Sequence, residues 1–409
     1  MNSTLNLNFS FMSIEILINH ILEKMPNINK WQRDFLVHLF STFLIVRGRY
    51  NFENLSRYGG LNECVYRSWY SKSFDFMEFN LILLDGLEKE ERIVVFDPSY
   101  LPKNGKKTAG LGYFWSGCAG SLKRGIEIGG FAAVGLDTQT ALHLTAVQTL
   151  KEKSVSFLDY YLQQFKLQAE ELRKVSSIAV FDAYFSREPF ISAITALDFT
   201  VVSKLAKNAV LKYPYLGERT GKPGRPQKYE GVVDKKQLDL KHFTLFYEND
   251  EKKAYEGKVY AIALKRLVKC VIVHSTTKTG KVKIETFFST DQQMKGDKLW
   301  KAYKLRFQIE FLYRDGKQHM GLTHCQARSK EKINFHVNAS LTVVSLAKIL
   351  DQINQEEEKV KPFSLASIKI KAFNQFYLNR IFIEFGISPE THINSHQYHL
   401  IQEWGAIAA

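Results

Sequence analysis

Two stretches of similar sequence, Arg92-Ile93-Val94-Val95-Phe96-Asp97 and Ile178-Ala179-Val180-Phe181-Asp182, set the fold class of this chain. Each is a short apolar run that ends in Phe-Asp, which predicts a buried strand followed by a carboxylate. In an α/β sheet, side chains at the C-terminal ends of buried strands are held rigidly at the crevice where ligands bind. Each aspartate alone is also typical of a turn or a helix N-cap, so only the pair suggests a shared site.

The sequence around these two runs alternates between strand and helix patterns. Two further β patterns and a long amphipathic helix lie between the runs, and a helix and another strand follow the second run. The predicted ranges are 126–136 and 141–148 for the two strands, 155–175 for the long helix, 187–197 for the next helix and 199–205 for the last strand. This order predicts an α/β core built on a mixed sheet with helices.

The rest of the chain divides into further parts. Helical periodicity over residues 1–87 predicts a candidate DNA-binding domain, although a helical bundle that serves only packing is about as well supported. Four β-like runs, at 242–248, 259–267, 270–274 and 282–289, predict a β-rich insertion. The predicted division is 1–87 (helical), 88–205 (first part of the core), 206–295 (insertion), 296–350 (second part of the core) and 351–409 (helical C-terminal region).

A charged helix is predicted at residues 298–321. Its polar side chains Tyr303, Arg306, Glu310 and Lys317 are separated by three, four and seven positions, so that an α-helix returns them to one face. Such a face could offer a carboxylate to a metal ion and cations to phosphates. A solvated charged face is the more usual meaning of this pattern when it stands alone.

Net charge indicates a polyanionic partner. The chain has 56 Lys and Arg against 42 Asp and Glu, a formal charge of +14 in 409 residues. Residues 98–125 contain five basic and no acidic side chains, and residues 203–228 contain seven basic side chains against one glutamate. Lys106 and Lys107 in the first segment, and Lys222 and Arg225 in the second, are candidate phosphate contacts. Ordinary solvated loops are an equally good interpretation of either segment alone.

Composition excludes several classes of protein. With 45% hydrophobic and 24% charged residues the chain is globular, so disorder, collagen and coiled coils do not describe it as a whole. No run of roughly 20 apolar residues is present, which predicts no membrane partner. The four cysteines are scattered without zinc-binding spacing, and they are expected to be free thiols in a reducing compartment.

The spacing Tyr303-x2-Arg306-x3-Glu310-x6-Lys317 resembles the YREK signature of the DDE transposases of bacterial insertion sequences, the IS-four family. The two Phe-Asp pairs stand where the first two acids of that family fall. Two supporting segments, 106–115 and 288–291, are similar as well, and the resemblance covers roughly residues 92–347.

The resemblance implies an RNase H-like catalytic core interrupted by a β-rich insertion. It implies that Asp97, Asp182 and Glu310 are the catalytic residues and bind two Mg²⁺ ions, for which Mn²⁺ may substitute. Arg306 and Lys317 would hold phosphates, and Tyr303 would position the DNA strand. The implied partner is double-stranded DNA, both transposon ends and target, bound by a homodimer in a synaptic complex. A cytoplasmic, nucleoid-associated protein is expected.

The sequence departs from the family at one point. Well-studied relatives use a tryptophan of the insertion to stack on a flipped base beside a DNA hairpin, and here no tryptophan lies between Trp115 and Trp300. Phe243, Phe246 or Tyr247 are the candidate replacements. Two alternative functions stay open from the sequence: a transposase-derived DNA-binding protein without catalysis, and a structure-selective nuclease on the same fold.

Overall fold

A computed structural model of the chain describes residues 13–150, 154–217, 227–277, 280–354 and 362–407. Lys222 and Arg225, the two candidate phosphate contacts of the second basic segment, lie outside the described residues.

Five helices form the N-terminal part, and each begins at a short polar side chain. Ser13, Asn29, Asn51, Asn62 and Asp75 each accept a hydrogen bond from a backbone N–H two or three residues further on. Such caps satisfy donors that a helix start leaves unpaired. The helices are α1 (Ile14–Glu23), α2 (Lys30–Ile45), α3 (Phe52–Gly59), α4 (Glu63–Trp69) and α5 (Phe76–Asp85). Their apolar side chains join the same buried core as the sheet.

Twelve strands of the described residues form one mixed sheet. They are β1 (Arg92–Pro102), β2 (Gly112–Ser116), β3 (Ser121–Gly135), β4 (Ala141–Gln148), β5 (Ile178–Val180), β6 (Thr200–Lys204), β7 (Leu211–Pro214), β8 (Tyr229–Val232), β9 (Phe243–Glu248), β10 (Lys252–Ala261), β11 (Arg266–Thr276) and β12 (Val282–Ser289). The core strands lie where the apolar runs predict them, whereas β2 was not predicted.

The first half of the sheet has the order β4-β3-β1-β5-β6. β1, β3 and β4 are antiparallel, and β5 and β6 run parallel to β1. The crossovers between the parallel strands are α6 (Phe157–Val175) and α7 (Glu188–Thr195), as parallel pairing requires. The mixed α/β fold is consistent with an RNase H-like transposase.

The strands of residues 206–295 extend the same sheet. β12 pairs with β6 at Phe288↔Ser203, and β11, β10, β7 and β8 follow outward. The predicted strand at 259–267 is wrong, because the chain turns there between β10 and β11. Lys265 adopts a left-handed conformation with φ 51° at that turn, which a period-2 apolar pattern does not reveal.

The single charged helix predicted at 298–321 is two helices, α8 (Gly296–Leu305) and α9 (Gln308–His319). Around Phe307 the backbone N–H groups bond three residues back rather than four: Phe307 to Lys304 and Glu310 to Phe307. This short 3-10 turn advances three residues per turn, so side chains before and after it are rotated relative to a continuous α-helix.

The long helix α10 (Lys330–Asn354) lies in the core. It is the one described helix long and apolar enough to cross a membrane, but 83% of its apolar window is buried inside the protein. A core helix of a soluble protein has the same composition. Asn338 fixes α10 to β4, since its side chain bonds both the N–H and the C=O of Ala146 at 2.8 and 2.9 Å.

Two helices, α11 (Leu365–Glu384) and α12 (His396–Gln402), follow. α11 packs on α2 and brings a buried lysine, Lys369, to the end of that helix. Its ammonium donates to the carbonyl oxygens of Phe43 at 2.9 Å and Val46 at 3.0 Å, and to the hydroxyl of Tyr50. Tyr50 in turn donates to the carbonyl of His319 at 2.6 Å, at the end of α9. Helix α11 is therefore connected to the end of α9 by buried hydrogen bonds that run through Lys369 and Tyr50.

We expect the Lys369→Met variant to remove a pH dependence of stability. Burial lowers the pKa of Lys369 from 10.5 to about 7. Between these values the unfolded chain binds a proton that the folded chain does not, so the wild type gains stability as pH rises. Urea unfolding at pH 7 and pH 9 should show the wild type gaining up to about 1.4 kcal/mol per pH unit relative to the variant.

The matched control is Lys371→Met on the same helix, where the side chain is 42% exposed and pairs with Glu403. Equal pH dependence in the wild type and in Lys369→Met would contradict the expectation.

Candidate active site

Asp97 lies in the middle of β1, not at its end as predicted. The parallel pairing of β1 with β5 stops at Val95↔Val180, whereas the pairing with β3 continues to Pro102. Asp97 is therefore the second residue beyond the end of the parallel ladder, where the sheet opens on one side. Opposite it in β3 stands Gly130. A Cβ there would lie 2.2 Å from the Tyr313 hydroxyl, so only glycine lets α9 approach this closely.

Arg306 joins two of the three predicted catalytic carboxylates. Its Nη1 lies 3.0 Å from Oδ1 of Asp97, and its Nη2 lies 2.7 Å from Oε1 of Glu310. The side chains of Arg306 and Asp97 are 14% and 15% exposed, and that of Glu310 is 38% exposed. Although a 3-10 turn lies between Arg306, the residue that follows α8, and Glu310 in the first turn of α9, the two side chains converge.

The electrostatic environment of Asp97 disfavours its charged form. Its pKa is raised to about 7, chiefly by burial and to a smaller extent by the carboxylates of Asp182, Glu310 and Glu127, while the guanidinium of Arg306 lowers it. Like charges in one cleft disfavour joint ionisation unless a cation is shared among them. Here Arg306 is that cation.

Asp182 follows β5 and caps the next turn. Its Oδ1 accepts a hydrogen bond from the N–H of Tyr184 at 2.8 Å, and its carbonyl accepts from Ser203 at 2.9 Å. Burial raises the pKa of Asp182, and the carboxylate of Glu310 raises it too, whereas the guanidinium of Arg306 lowers it. From the sequence, an N-cap is the alternative to a catalytic role for Asp182. In the structure Asp182 is an N-cap and also lies near Glu310 and Arg306.

Tyr303 and Lys317 flank this cluster. Burial raises the pKa of Tyr303 to about 12, and its ring packs on Phe287 with centroids 4.7 Å apart. Lys317 donates to the hydroxyl of Ser99 at 2.9 Å, two residues beyond Asp97 on β1. Burial lowers the pKa of Lys317, and Cys118 and Asp97 oppose that effect. The charged-helix pattern thus supplies one of the acids, Glu310, and its other three residues lie around the acids.

A fourth carboxylate, Glu127 on β3, was missed by the sequence analysis. Tyr161 donates a hydrogen bond to it, and Thr149 bonds Tyr161 at 2.7 Å. Burial raises the pKa of Glu127. Its signal was present in the sequence, since a lone acid between Ile126 and Ile128 interrupts an otherwise apolar strand.

The candidate DNA-binding side chains are placed unevenly. Lys106 and Lys107 are exposed on the loop between β1 and β2, and their role stays a prediction. The prediction for Phe243 is wrong: it is 2% exposed and packs edge-on to Tyr213, so a base cannot reach its face. Phe246 and Tyr247 lie edge-on to Trp300, with centroids 6.4 and 5.3 Å away.

A comparison with protein families gives this geometry its context. A family model described as a transposase DDE domain matches residues 83–346, which span β1 to α10 and include all three predicted acids. The chain belongs to the DDE transposase family. No curated protein matches this chain. As a DDE transposase it is a DNA-binding protein of the polynucleotidyl transferases, a class that uses divalent metal ions.

The donor atoms of this transposase suit such an ion, and their present arrangement is held by Arg306. Carboxylate oxygens are the ligands that Mg²⁺ prefers. Among the described residues, no group of three His, Cys, Asp or Glu side chains has metal-binding geometry. The guanidinium instead supplies the positive charge that Asp97 and Glu310 require.

We expect Arg306→Ala to destabilise the protein more at pH 8 than at pH 5. Without the guanidinium the pKa of Asp97 rises further above 7, so at pH 8 a buried carboxylate must either ionise unpaired or take up a proton. The cost should be about 2 kcal/mol at pH 8 and smaller at pH 5, where Asp97 is protonated. Thermal melts at both pH values measure it.

The double variant Arg306→Ala/Asp97→Asn is the control, because it removes the unpaired charge. It should recover most of the loss at pH 8. A loss that is independent of pH and unchanged in the double variant would show that Arg306 acts only by packing.

Proposed function

We propose that this transposase is encoded by an insertion sequence of the IS-four type and moves it by a cut-and-paste route. It would bind the terminal inverted repeats as a homodimer, cleave the DNA ends and join them to target DNA. One observation carries the proposal: Asp97 and Arg306, 209 positions apart in sequence, meet at Glu310 beside Asp182. The spacing of Tyr303, Arg306, Glu310 and Lys317 supports the family assignment at this finer level.

The proposed catalytic residues are Asp97, Asp182 and Glu310. When bound there, two Mg²⁺ or Mn²⁺ ions would supply Lewis-acid chemistry for an in-line displacement at phosphorus. The chain itself holds the carboxylates on three elements: β1, the turn after β5, and α9. Arg306 bonds Asp97 and Glu310, and with the ions held by these acids its guanidinium would be available to bind a phosphate oxygen.

Lys317 and Tyr303 would hold the DNA strand on either side of the acids. Lys317 is anchored by Ser99, and its ammonium is a point charge suited to a backbone phosphate. The hydroxyl of Tyr303 stays protonated at neutral pH because its pKa is about 12, so it can donate a hydrogen bond to a phosphate oxygen.

A cavity of about 240 Å³ beside Arg306 supports a route through DNA hairpins. Most of its lining is aromatic or basic, with one acid, Glu285, which pairs with Lys204 and Lys283. The aromatic and basic residues are Phe287, Trp300, Tyr303, Phe307, Lys252, Lys304 and Arg306. The ammonium of Lys304 lies 4.0 Å above the Trp300 ring. We propose that a base flipped out beside the cut enters here, where aromatic faces suit stacking. Phe307, which is exposed at the rim of this cavity, would then stack on the base in place of the tryptophan missing from residues 206–295.

Glu310→Gln should abolish cleavage and joining. The glutamine keeps the shape and the hydrogen bond to Arg306 but removes the negative charge that a divalent ion needs. The assay incubates the protein with DNA that carries the inverted repeats flanking its gene, plus Mg²⁺ or Mn²⁺, and follows cut and joined products. The rate should fall more than about 100-fold, and EDTA should stop the wild-type reaction.

Glu331→Gln, at an exposed position in the first turn of α10, is the matched control and should cleave normally. Undiminished cleavage by Glu310→Gln would show that the proposed site is wrong. Cleavage by the wild type without joining would identify a nuclease, and binding without cleavage would identify a DNA-binding protein that has lost catalysis.

Phe307→Ala should impair hairpin formation specifically. Phe307 is 47% exposed at the rim of the cavity, so its loss removes a stacking surface without opening the core. Hairpin-ended DNA should form about tenfold more slowly, while first-strand nicking is retained. Phe385→Ala on the exposed C-terminal surface is the control. Wild-type hairpin yield in Phe307→Ala would exclude this cavity as the base site.

A further inference from the structure

A β-hairpin arm, residues 112–125, carries an exposed aromatic face near the candidate active site. Tyr113 pairs with Arg124 and Trp115 pairs with Leu122 across β2 and β3, so these four side chains share one face. Tyr113, Trp115 and Leu122 are 70%, 61% and 62% exposed, and Arg124 is exposed as well. Exposing two large aromatic side chains to water on one short hairpin is unfavourable, and such exposed apolar surfaces are typical of binding sites.

The opposite face of the arm fixes its position. Phe114 is 8% exposed and packs edge-on to Phe157 at the start of α6, with centroids 6.1 Å apart. At the base of the arm, the Arg124 side chain of the exposed face also bonds the carbonyl of Gly105 at 2.7 Å, and Tyr100 donates to the backbone carbonyl of Arg124 at 2.8 Å. The exposed face is therefore presented by a braced hairpin, and its aromatic side chains are preorganised for binding.

The charge of the surrounding chain identifies the kind of partner. Residues 98–125 contain no acidic side chain, and Lys106, Lys107, Lys123 and Arg124 are all exposed. An aromatic surface on a segment whose charged side chains are all basic fits a polyanion that has flat apolar groups. Unpaired nucleotides have that combination, with phosphates for the cations and bases for the rings.

The arm is continuous with the candidate active site. β1 carries Asp97 and pairs with β3 up to Gly125, from which the arm extends. A Cβ at Gly125 would lie 2.3 Å from the carbonyl oxygen of Leu101, so the close crossing at the base of the arm requires glycine. Lys317 of α9 bonds Ser99 of the same strand β1 at 2.9 Å, three residues before the strand reaches Pro102, which pairs with Gly125 at the base of the arm. DNA held by Lys317 would therefore lie within reach of the arm.

We propose that this arm binds unpaired nucleotides of the DNA substrate next to the cut, with Trp115 and Tyr113 stacking on bases and Lys123 and Arg124 contacting phosphates. The inference rests on the proposed function and adds a second DNA-binding element to it. Its expected effect is on binding of DNA with unpaired ends, because fully paired duplex offers the rings no free base face.

Trp115→Ala tests the stacking. Fluorescence anisotropy should show about tenfold weaker binding to repeat-end DNA carrying a single-stranded overhang, and less than a threefold change for the blunt duplex. Trp404→Ala removes a tryptophan that is 79% exposed elsewhere and should leave both affinities unchanged. Equal losses on both DNAs, or no loss on either, would overturn the proposal.

The natural cysteines allow a second, independent test. Cys118 at the tip of the arm and Cys64 in α4 are both exposed, so each can be labelled with a photoactivated thiol reagent after the other is changed to serine. With the overhang substrate, Cys64→Ser protein, labelled at Cys118, should crosslink to the nucleotides at the cleavage site. Cys118→Ser protein, labelled at Cys64, should not crosslink there. The reverse pattern would overturn the proposal.

Failure of this inference can be distinguished from failure of the proposed function. If the wild type neither binds nor cuts repeat-end DNA, the proposed function is wrong and the inference falls with it. If the wild type cuts while Trp115→Ala binds both DNAs normally, the inference alone is wrong. A loss of self-association in Trp115→Ala, with normal DNA binding, would assign the arm to a protein interface and overturn the proposal.

Discussion

One shared cation organises the centre of this molecule. Asp97 is buried in a strand at the point where the parallel ladder ends, and its ionised form is tolerated only because the guanidinium of Arg306 lies 3.0 Å away. The same guanidinium holds Glu310 and so fixes the start of α9 over the sheet. Three contacts accompany this approach of α9 to β1. Gly130 leaves room for Tyr313 of α9, whose hydroxyl donates to the carbonyl of Asp97. Ser99 of β1 accepts a hydrogen bond from Lys317 of α9. DDE transposases use divalent metal ions, and a cluster of acids with surplus negative charge suits such an ion.

The sequence predicted the parts of this site that depend on local pattern. Apolar runs ending in Phe-Asp gave the strands that carry the first two acids, and the three- and four-residue spacing of Tyr303, Arg306 and Glu310 gave their common side. Local sequence patterns do not reveal contacts between residues that are distant in the chain. The 3-10 turn at Phe307, the extension of β1 past Asp97 and the burial of Phe243 all depend on which element packs on which. Glu127 could have been found from the sequence, because a lone acid between apolar residues of a predicted strand is a signal by itself.

The segment 206–295, which the sequence predicts as an insertion, is not separated from the core sheet in the fold. Its strands continue the core sheet by pairing β12 with β6, and α8 packs across that junction on β6, β11 and β12. The aromatic cavity lies where the two parts meet, with Phe287 from β12 and Trp300 and Tyr303 from α8 in its wall. A base bound in this cavity would contact both β12 of residues 206–295 and α8. The side chains that bind the base would then also be the ones that pack these two elements together.

The buried polar chain from Lys369 to α9 has a consequence for the order in which the protein is made. The N-terminal helices, the sheet and α9 all leave the ribosome before α11 does, yet the carbonyls at the end of α2 and the Tyr50 hydroxyl receive the Lys369 ammonium only from that later helix. Until then, Tyr50 lacks one of the partners that hold it against the end of α9. During synthesis the hydrogen-bonded chain that ends at the last turn of α9 is thus completed only after α11 has emerged.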